Sequence, residues 1–477
     1  MTRRYWLSIC AMVFTAILGS WLVRAAAFAQ LPQAAPERYG GFLIGLWLPI
    51  PVVQVAPSWI PFLCLTLVWA MLGILGWQAV RSLAGQERPR LWHVYAGFAA
   101  VSLALTFFSV TQSIDGYYYV LFGRLFGAYG IDPYSIAGPL RMQDSIFAQE
   151  LPLLHNPPFP DPYGPGFTLV AGLVGRLETG VSLWTQLWTW RVVSSGACLL
   201  ILVALARILR GASATERIRR LAIVAFHPLS LYESGAGGHN DFLMVAAAIW
   251  SYALVDEFPL VAGLLLGVAI SIKYFAAIIL PFVALKAARK SLVAAVLSVV
   301  LAALVPLLCF HPFAFAPTGA TLARVGASLS MSLNWLLALP LFAIKAGDAA
   351  VRLVQQAIVA AFALVMLGAV IGFARAPRNA LVFRCIAALL WSLPAMHPWY
   401  AAWLVPAAAA RPPWATYAWW FGALSLLVYA HEAVLPTPVN HTIFIVIAIV
   451  LLALPIALAR APGNAAAPQG IAVQRDG

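Results

Sequence analysis

Apolar stretches of about twenty residues recur along this chain, and they decide most of what it can become. A stretch of that length with few charges can cross the roughly 30 Å hydrocarbon core of a bilayer as one helix. Within that core every backbone N–H and C=O must be satisfied by the protein itself, so helices of this length are the workable form. Such stretches lie near 5–23, 59–80, 91–111, 184–207, 221–236, 241–256, 291–311, 350–373, 380–395, 399–411, 414–430 and 441–459. The chain is 63% hydrophobic and 9% charged, with a mean hydropathy of +0.89, which excludes an ordinary soluble protein. The expected fold is an all-α integral membrane protein: a polytopic helical bundle of roughly 12 spans with interfacial and re-entrant helices. One domain is expected over residues 1–461, followed by a disordered cytoplasmic tail at 462–477 that is rich in Ala, Pro and Gly.

The net charge of +13 would suit a nucleic-acid partner if it formed a patch, but the basic residues fall in short clusters between apolar stretches. Arg3/Arg4, Arg81/Arg88/Arg90, Arg207 to Arg220, Lys286/Arg289/Lys290, Arg375/Arg378, Arg411 and Arg460 fall on one side of the span map, the pattern that marks the cytoplasmic face. No nucleic acid is expected as a partner. Met1 to Gln30 resembles a signal peptide, yet its apolar core is long and Arg24 follows it, so it is taken as an uncleaved first span. Two stretches fit the count only if they do not cross. Phe167 to Arg176 is too short, and Pro259 to Leu285 is broken by Lys273, so both are expected to be re-entrant or interfacial. There is no internal repeat.

The segment 112–164 is the exception to this apolar background. It holds five of the chain's sixteen acidic residues, Asp115, Asp132, Asp144, Glu150 and Asp161, opposed only by Arg124 and Arg141. The positive-inside argument places it on the outer face together with 311–334, His397 and 431–440. Asp115, where a span meets this loop, could accept a proton from a hydroxyl while the membrane wall limits water; a helix-start Asp is the structural alternative. The following helix places Tyr118, Leu121, Leu125 and Tyr129 along one side, which fits a helix lying at the interface. Arg124 on that helix could meet a phosphate or simply snorkel.

Two further groups interrupt apolar sequence. Glu233-Ser234-Gly235-Ala236-Gly237-Gly238-His239-Asn240-Asp241 is a Gly-rich turn opening a helix, suited to an anion or to sugar hydroxyls, and also readable as a plain interhelical turn. Lys273 is an intramembrane cation with a phosphate as its natural partner. His397-Pro398-Trp399-Tyr400 could offer aromatic faces to a sugar ring, although aromatic belts account for Trp and Tyr at that depth as well. Cys10, Cys64, Cys198, Cys309 and Cys385 all lie in apolar sequence without paired spacing, so neither a disulfide framework nor a zinc site is expected. Asp115, Asp161 and Asp241 could gather around Mg²⁺ or Mn²⁺, and each is explained without a metal.

The ordered set Asp115 with Tyr117 to Tyr119, Gly123-Arg124, Asp132-Pro133-Tyr134, Pro162-Tyr163-Gly164-Pro165, Gly237 to Asp241, Lys273, and Pro398 to Trp403 resembles the GT-C integral-membrane glycosyltransferases. The resemblance is strongest to bacterial polyprenol-phosphate-mannose-dependent mannosyltransferases and covers about residues 90–410. It implies a multi-pass protein of the bacterial inner membrane whose active site faces the periplasm. A polyprenyl-phosphate sugar would be the donor, a glycan or glycolipid the acceptor, and membrane lipid a further partner. Asp115 would be the general base, giving inverting transfer of a hexose, with mannose expected. Arg124, Tyr163, His239, Asn240, Asp241, Lys273, His397, Trp399 and Tyr400 would then bind donor or acceptor. The rivals are a transporter or flippase for a lipid-linked substrate, which should show repeat symmetry, and a glycan polymerase or ligase using a lipid diphosphate.

Overall fold

Helices make up every regular element of the computed structural model, which describes residues 2–28, 59–86, 90–108, 113, 115–135, 160–313, 332–344, 347–393, 395–409, 414–429 and scattered positions from 445 to 456. The expected tail at 462–477 and the middle of the acidic loop, 136–159, lie outside the described residues. α1 (Thr2–Phe28) runs against α2 (Trp59–Ala84) and α3 (Leu91–Thr106). Its Tyr5, Ile9, Met12 and Ala16 are buried at the three-to-four-residue spacing of one helix face. That packing makes the N-terminal stretch part of the bundle.

α4 (Asp115–Gly127) and α5 (Pro165–Leu177) form a close pair. Glycines set how close: a Cβ on Gly123 would lie 2.4 Å from the Ala171 carbonyl oxygen, and one on Gly127 would lie 1.8 Å from that of Gly172. The expected interfacial stripe is not present, because Tyr117 through Leu125 are all buried and only Tyr129 is well exposed. Backbones meeting at glycine cover α4 with protein on the side where an interfacial helix would meet lipid.

α6 (Leu183–Ile208) leads to α7 (Ala214–Ala225) and the short α8 (Pro228–Tyr232). The expected span over 221–236 is therefore broken. His227 precedes a proline, adopts φ −66° and ψ 130°, and ends the helical path, as residues before proline tend to do. A wide turn of π type over Glu233–Gly237 follows. The stretch expected at 399–411 is likewise not one helix but two tight 3₁₀ segments, Pro398–Trp403 and Val405–Ala409. Pro398 and Pro406, which lack a donor, interrupt a regular α-helix there.

α9 (Asp241–Leu254) and α10 (Pro259–Ile272) form a hairpin; the chain then breaks at Lys273, makes a 3₁₀ stretch over Tyr274–Ile279 and continues into α11 (Leu280–Ala288). Lys286 at the end of α11 pairs with Asp256 at 2.8 Å, just before α10 begins. The two ends of the Pro259–Ala288 segment thus lie close together, with Lys273 at the break between its arms. α12 (Leu292–Phe310) lies along α10, where Ser298 bonds the Pro259 carbonyl at 2.7 Å and would clash with a Cβ on Gly263.

α13 (Leu333–Ala343), α14 (Gly347–Arg375), α15 (Asn379–Ser392) and α16 (Trp414–Ser425) complete the described bundle. Among the described residues five helices, α1, α2, α6, α12 and α14, carry stretches long and apolar enough to cross a membrane, and several shorter apolar helices stand among them. Leu292, Val293, Leu308, Leu353 and Leu364 each expose more than 60% of their surface, which fits a hydrocarbon surround. The close α4–α5 contact gives a direct test. Gly127→Ala should lower stability by about 1–3 kcal/mol, the usual range for overpacking. Gly368→Ala on α14, where a Cβ meets nothing within 4 Å, should be neutral or slightly stabilising. Thermal unfolding in detergent, followed by fluorescence, compares the two.

Candidate active site

Four interruptions of helical structure meet in one place: the start of α4, the turn between α8 and α9, the tip at Lys273 and the 3₁₀ segment after His397. Each has a local cause. The turn at 233–241 needs Gly238, whose φ of +70° is left-handed and whose absent Cβ leaves room for the Arg191 backbone at 3.2 Å. Lys273 is extended (φ −145°, ψ 123°), and the Ile272 carbonyl freed by the break accepts from the Gly164 N–H at 3.0 Å. That bond brings the Pro162–Pro165 run beside the tip. His397 is extended ahead of Pro398.

Two charged clusters result. In the first, the imidazole of His239 lies between two carboxylates, its Nδ1 3.5 Å from Asp115 and its Nε2 3.2 Å from Glu233. The Tyr429 hydroxyl donates to Glu233 at 3.1 Å. Trp399 stacks on His239 with ring centroids 4.2 Å apart, and His397 stacks on Trp399 at 4.5 Å. In the second cluster, Lys273 Nζ donates to Asp241 Oδ2 at 2.6 Å while Trp403 Nε1 donates to Asp241 Oδ1 at 2.7 Å. The Lys273 ammonium stands 5.4 Å from the Tyr400 ring centroid and 5.9 Å from that of Tyr163, close enough for cation–π attraction. Tyr119 joins the clusters, its hydroxyl accepting the Asn240 N–H at 3.2 Å.

The carboxylates differ in what surrounds them. Asp241 is fully buried with both oxygens engaged, whereas Asp115 keeps 18% of its side-chain surface open. Burial alone would lift the Asp115 carboxyl, but His239, with Lys273 and His397 beyond it, holds it below the ordinary carboxylate value. Burial also opposes charge on His239, yet Asp115 and Glu233 on either side push it up to about 9, so the ring is an imidazolium at neutral pH. Asp161 has no such cation. Burial pushes it up to about 7, offset only in part by the hydroxyl of Thr168 and the N–H of Tyr163.

Nine of the ten residues singled out from sequence fall in this region: Asp115, Tyr163, His239, Asn240, Asp241, Lys273, His397, Trp399 and Tyr400. Arg124 does not join them. It is buried about 13 Å along α4 from Asp115, and its Nη1 donates to the Thr179 carbonyl at 3.4 Å, just past the end of α5. Nor do Asp115, Asp161 and Asp241 gather: each has its own partners, and among the described residues no group of three His, Cys, Asp or Glu is placed to hold a metal ion.

The sequence pattern underweighted Glu233, Tyr119 and Trp403, although all three lie within or beside the stretches that carry the resemblance. Tyr429 and Arg191 gave no local signal. Arg191 is buried, donates to the carbonyls of Thr106 and Phe108 at the end of α3, and packs under Gly238. It positions the turn that carries His239.

The family model described as Alpha-(1->6)-mannopyranosyltransferase, N-terminal domain, of the MptA/B family, matches residues 9–289, well over half of the chain. The chain belongs to that family. No curated protein and no solved structure matches it. The family is one of polyprenyl-phosphate-mannose-dependent GT-C mannosyltransferases, so this is a multi-pass membrane enzyme of mannose transfer, and the transporter reading falls away. The matched span includes both charged clusters except for their lids from His397, Trp399, Tyr400, Trp403 and Tyr429.

The Lys273–Asp241 pair predicts an asymmetric mutational result. Removing one partner of a buried ion pair commonly costs about 3–5 kcal/mol because the other is left uncompensated. Lys273→Met should therefore be clearly less stable than Lys273→Met/Asp241→Leu, in which both charges are gone. A double-mutant cycle of Lys273→Met, Asp241→Leu and the double variant, read on unfolding free energy, measures this, and a double variant whose destabilisation is the sum of the two singles would show that the pair is not coupled.

Proposed function

We propose that this mannosyltransferase moves mannose from a polyprenyl-phosphate mannose to a hydroxyl of a glycan or glycolipid at the outer face of the membrane. Asp115 acts as general base, and the anomeric centre inverts. One observation carries the choice of base: of the two site aspartates, Asp241 is sealed by Lys273 and Trp403, whereas Asp115 is ionised, part open and steadied by an imidazolium. A hydroxyl hydrogen-bonded to Asp115 attacks the anomeric carbon from the face opposite the phosphate. The new C–O bond forms as the C–O bond to the phosphate breaks, the hydroxyl proton passes to Asp115, and polyprenyl phosphate departs as the anion. Phosphate is a good leaving group, so the site needs no dedicated acid, and positioning with charge stabilisation supplies most of the rate. A single inversion that yields an α-linkage requires a β-configured donor.

Lys273 is the cation best placed for the donor phosphate. An ammonium has three donors, and Asp241 takes one of them. Arg124, far along α4, is not part of this phosphate site. Tyr400 and His397, both half-buried, supply the aromatic wall for the sugars, and the buried Trp399 stacks against His397 and His239 to hold it in place.

Asp115→Asn keeps the shape of the carboxylate but cannot take a proton. Its single-turnover transfer should fall by about 10²–10⁴-fold, the usual effect of losing a general base, with donor affinity nearly unchanged. Asp241→Asn should keep partial activity and change donor affinity instead. Release of polyprenyl phosphate from a purified polyprenyl-phosphate mannose measures both. Near-parent transfer by Asp115→Asn would assign the base elsewhere.

The outer-face reading rests on the basic clusters and is tested at the two ends of α6. Gly180 and Gly211 are exposed, and a side chain at either would meet nothing within 4 Å. In a cysteine-free background, Gly180→Cys should react with an impermeant maleimide added to cells with an opened outer envelope and an intact inner membrane. Gly211→Cys should react only after the inner membrane is breached. The reverse pattern would invert the orientation.

A further inference from the structure

The turn between the two charged clusters contains a side chain that the mechanism above does not use. Asn240 is completely buried, and neither its amide nitrogen nor its amide oxygen has a hydrogen-bond partner. An Asn at the start of a helix ordinarily caps a free N–H of the first turn, but Asn240 makes no such bond at the start of α9. Its backbone is tied down on both sides: its N–H goes to Tyr119, and its carbonyl accepts from Leu243 and Met244. A buried amide with donor and acceptor both unmet is destabilising, and a hydrophobic side chain of similar size would not be. Such a residue needs a partner that arrives from elsewhere.

Its neighbours say what that partner is. His239 on one side reaches Asp115, the proposed base, and Asp241 on the other reaches Lys273, the proposed phosphate cation. In an in-line displacement the transferred ring lies between the attacking hydroxyl and the leaving phosphate. Asn240, whose two sequence neighbours make those contacts, is the unpartnered side chain nearest in the chain to where that ring would lie. A carboxamide offers one donor group and one acceptor, the complement of a sugar hydroxyl or of two adjacent ones. We infer that Asn240 reads the ring hydroxyls of the donor hexose and so sets which sugar is transferred. This assignment rests on the function proposed above.

The test uses the full-length enzyme in detergent or nanodiscs with a panel of polyprenyl-phosphate mannose donors, each lacking one ring hydroxyl, and a matching panel of deoxygenated acceptors. A site built to bond a hydroxyl rejects the analogue that lacks it. At least one deoxy donor should lose on the order of 10²-fold or more in kcat/KM with the parent enzyme. Asn240→Ala should reduce that discrimination to a few-fold while the ranking of the acceptors stays as in the parent. If the parent accepts every deoxy donor within about threefold, the assignment is overturned without any variant. It is overturned equally if Asn240→Ala keeps the parent's donor ranking, the result expected of an amide held by a trapped water, or if the change appears among the acceptors. Failure of the unmodified mannosyl donor to release polyprenyl phosphate would instead reject the function itself, and this assignment with it.

Discussion

A single ion pair inside an apolar bundle fixes the geometry on which the site depends. Lys273 could not remain charged at the tip of a hydrophobic hairpin without a counter-charge, and Asp241 could not sit fully buried at the start of α9 without a cation. Their contact joins α9 to the break between α10 and α11. Trp403 fixes the other oxygen of the same carboxylate and so brings in the 3₁₀ segment that begins at Pro398. The Ile272 carbonyl released by the break binds Gly164 and places Tyr163 beside the ammonium. Four chain segments are thereby held to one point. The pair gives the site its register whatever its net contribution to stability.

Within that frame, three aspartates show how environment divides one chemical group into different roles. Asp241 has a cation and an indole N–H and is closed off. Asp161 has only neutral donors, and burial takes its carboxyl up to about 7, so it serves to knot Tyr163 and Thr168 together under the loop. Asp115 has an imidazolium on one side and an opening on the other. Asp115 and Glu233 together make that imidazolium, since a ring facing two carboxylates keeps both protons to a higher pH than a ring facing one. Trp399 then stacks on the ring and Tyr429 holds Glu233, both from a part of the chain far along the sequence.

The sequence disclosed the polar level of the fold more clearly than its helices. Residues that break apolar stretches, such as Gly238, Lys273 and Pro398, are conspicuous because a bilayer-sized helix gives no local reason for them. Their clustering follows from the same fact, since irregular backbone in an apolar surround has to be covered by protein. Helix continuity was harder to read. The stretch at 221–236 is mostly apolar up to Tyr232, and hydropathy averages over the single bond at His227–Pro228 that stops the helix. The interfacial reading of α4 failed for a related reason: tyrosines spaced along a helix look the same whether they meet headgroups or neighbouring helices. What decides between them is the pairing of Gly123 and Gly127 with α5, a contact between segments more than forty residues apart. Arg124 stands apart from the two clusters because proximity to Asp115 in sequence becomes about 13 Å along a straight helix. Arg191 and Tyr429 act across tertiary contacts and leave no pattern in their own neighbourhoods.

A carboxylate held below its ordinary value would seem a poor base for an alcohol, and the proposed chemistry resolves this. When the bond to phosphate breaks early, positive charge accumulates at the anomeric carbon, and the attacking hydroxyl becomes acidic only as its new bond forms. The base is then required late, when even a weak one suffices. Early in the reaction it is more useful as a fixed negative charge facing the developing cation. For that role ionisation matters more than basicity. In the proposed reaction His239 is the neighbour that favours the ionised form of Asp115, and Lys273 is the cation that would meet the charge growing on the departing phosphate. On the proposed mechanism the two clusters would stand at opposite ends of the bond being exchanged, one negative where the carbon turns positive and one positive where the leaving group turns negative. The consecutive residues His239, Asn240 and Asp241 link them through a stretch of backbone too short to let their spacing drift.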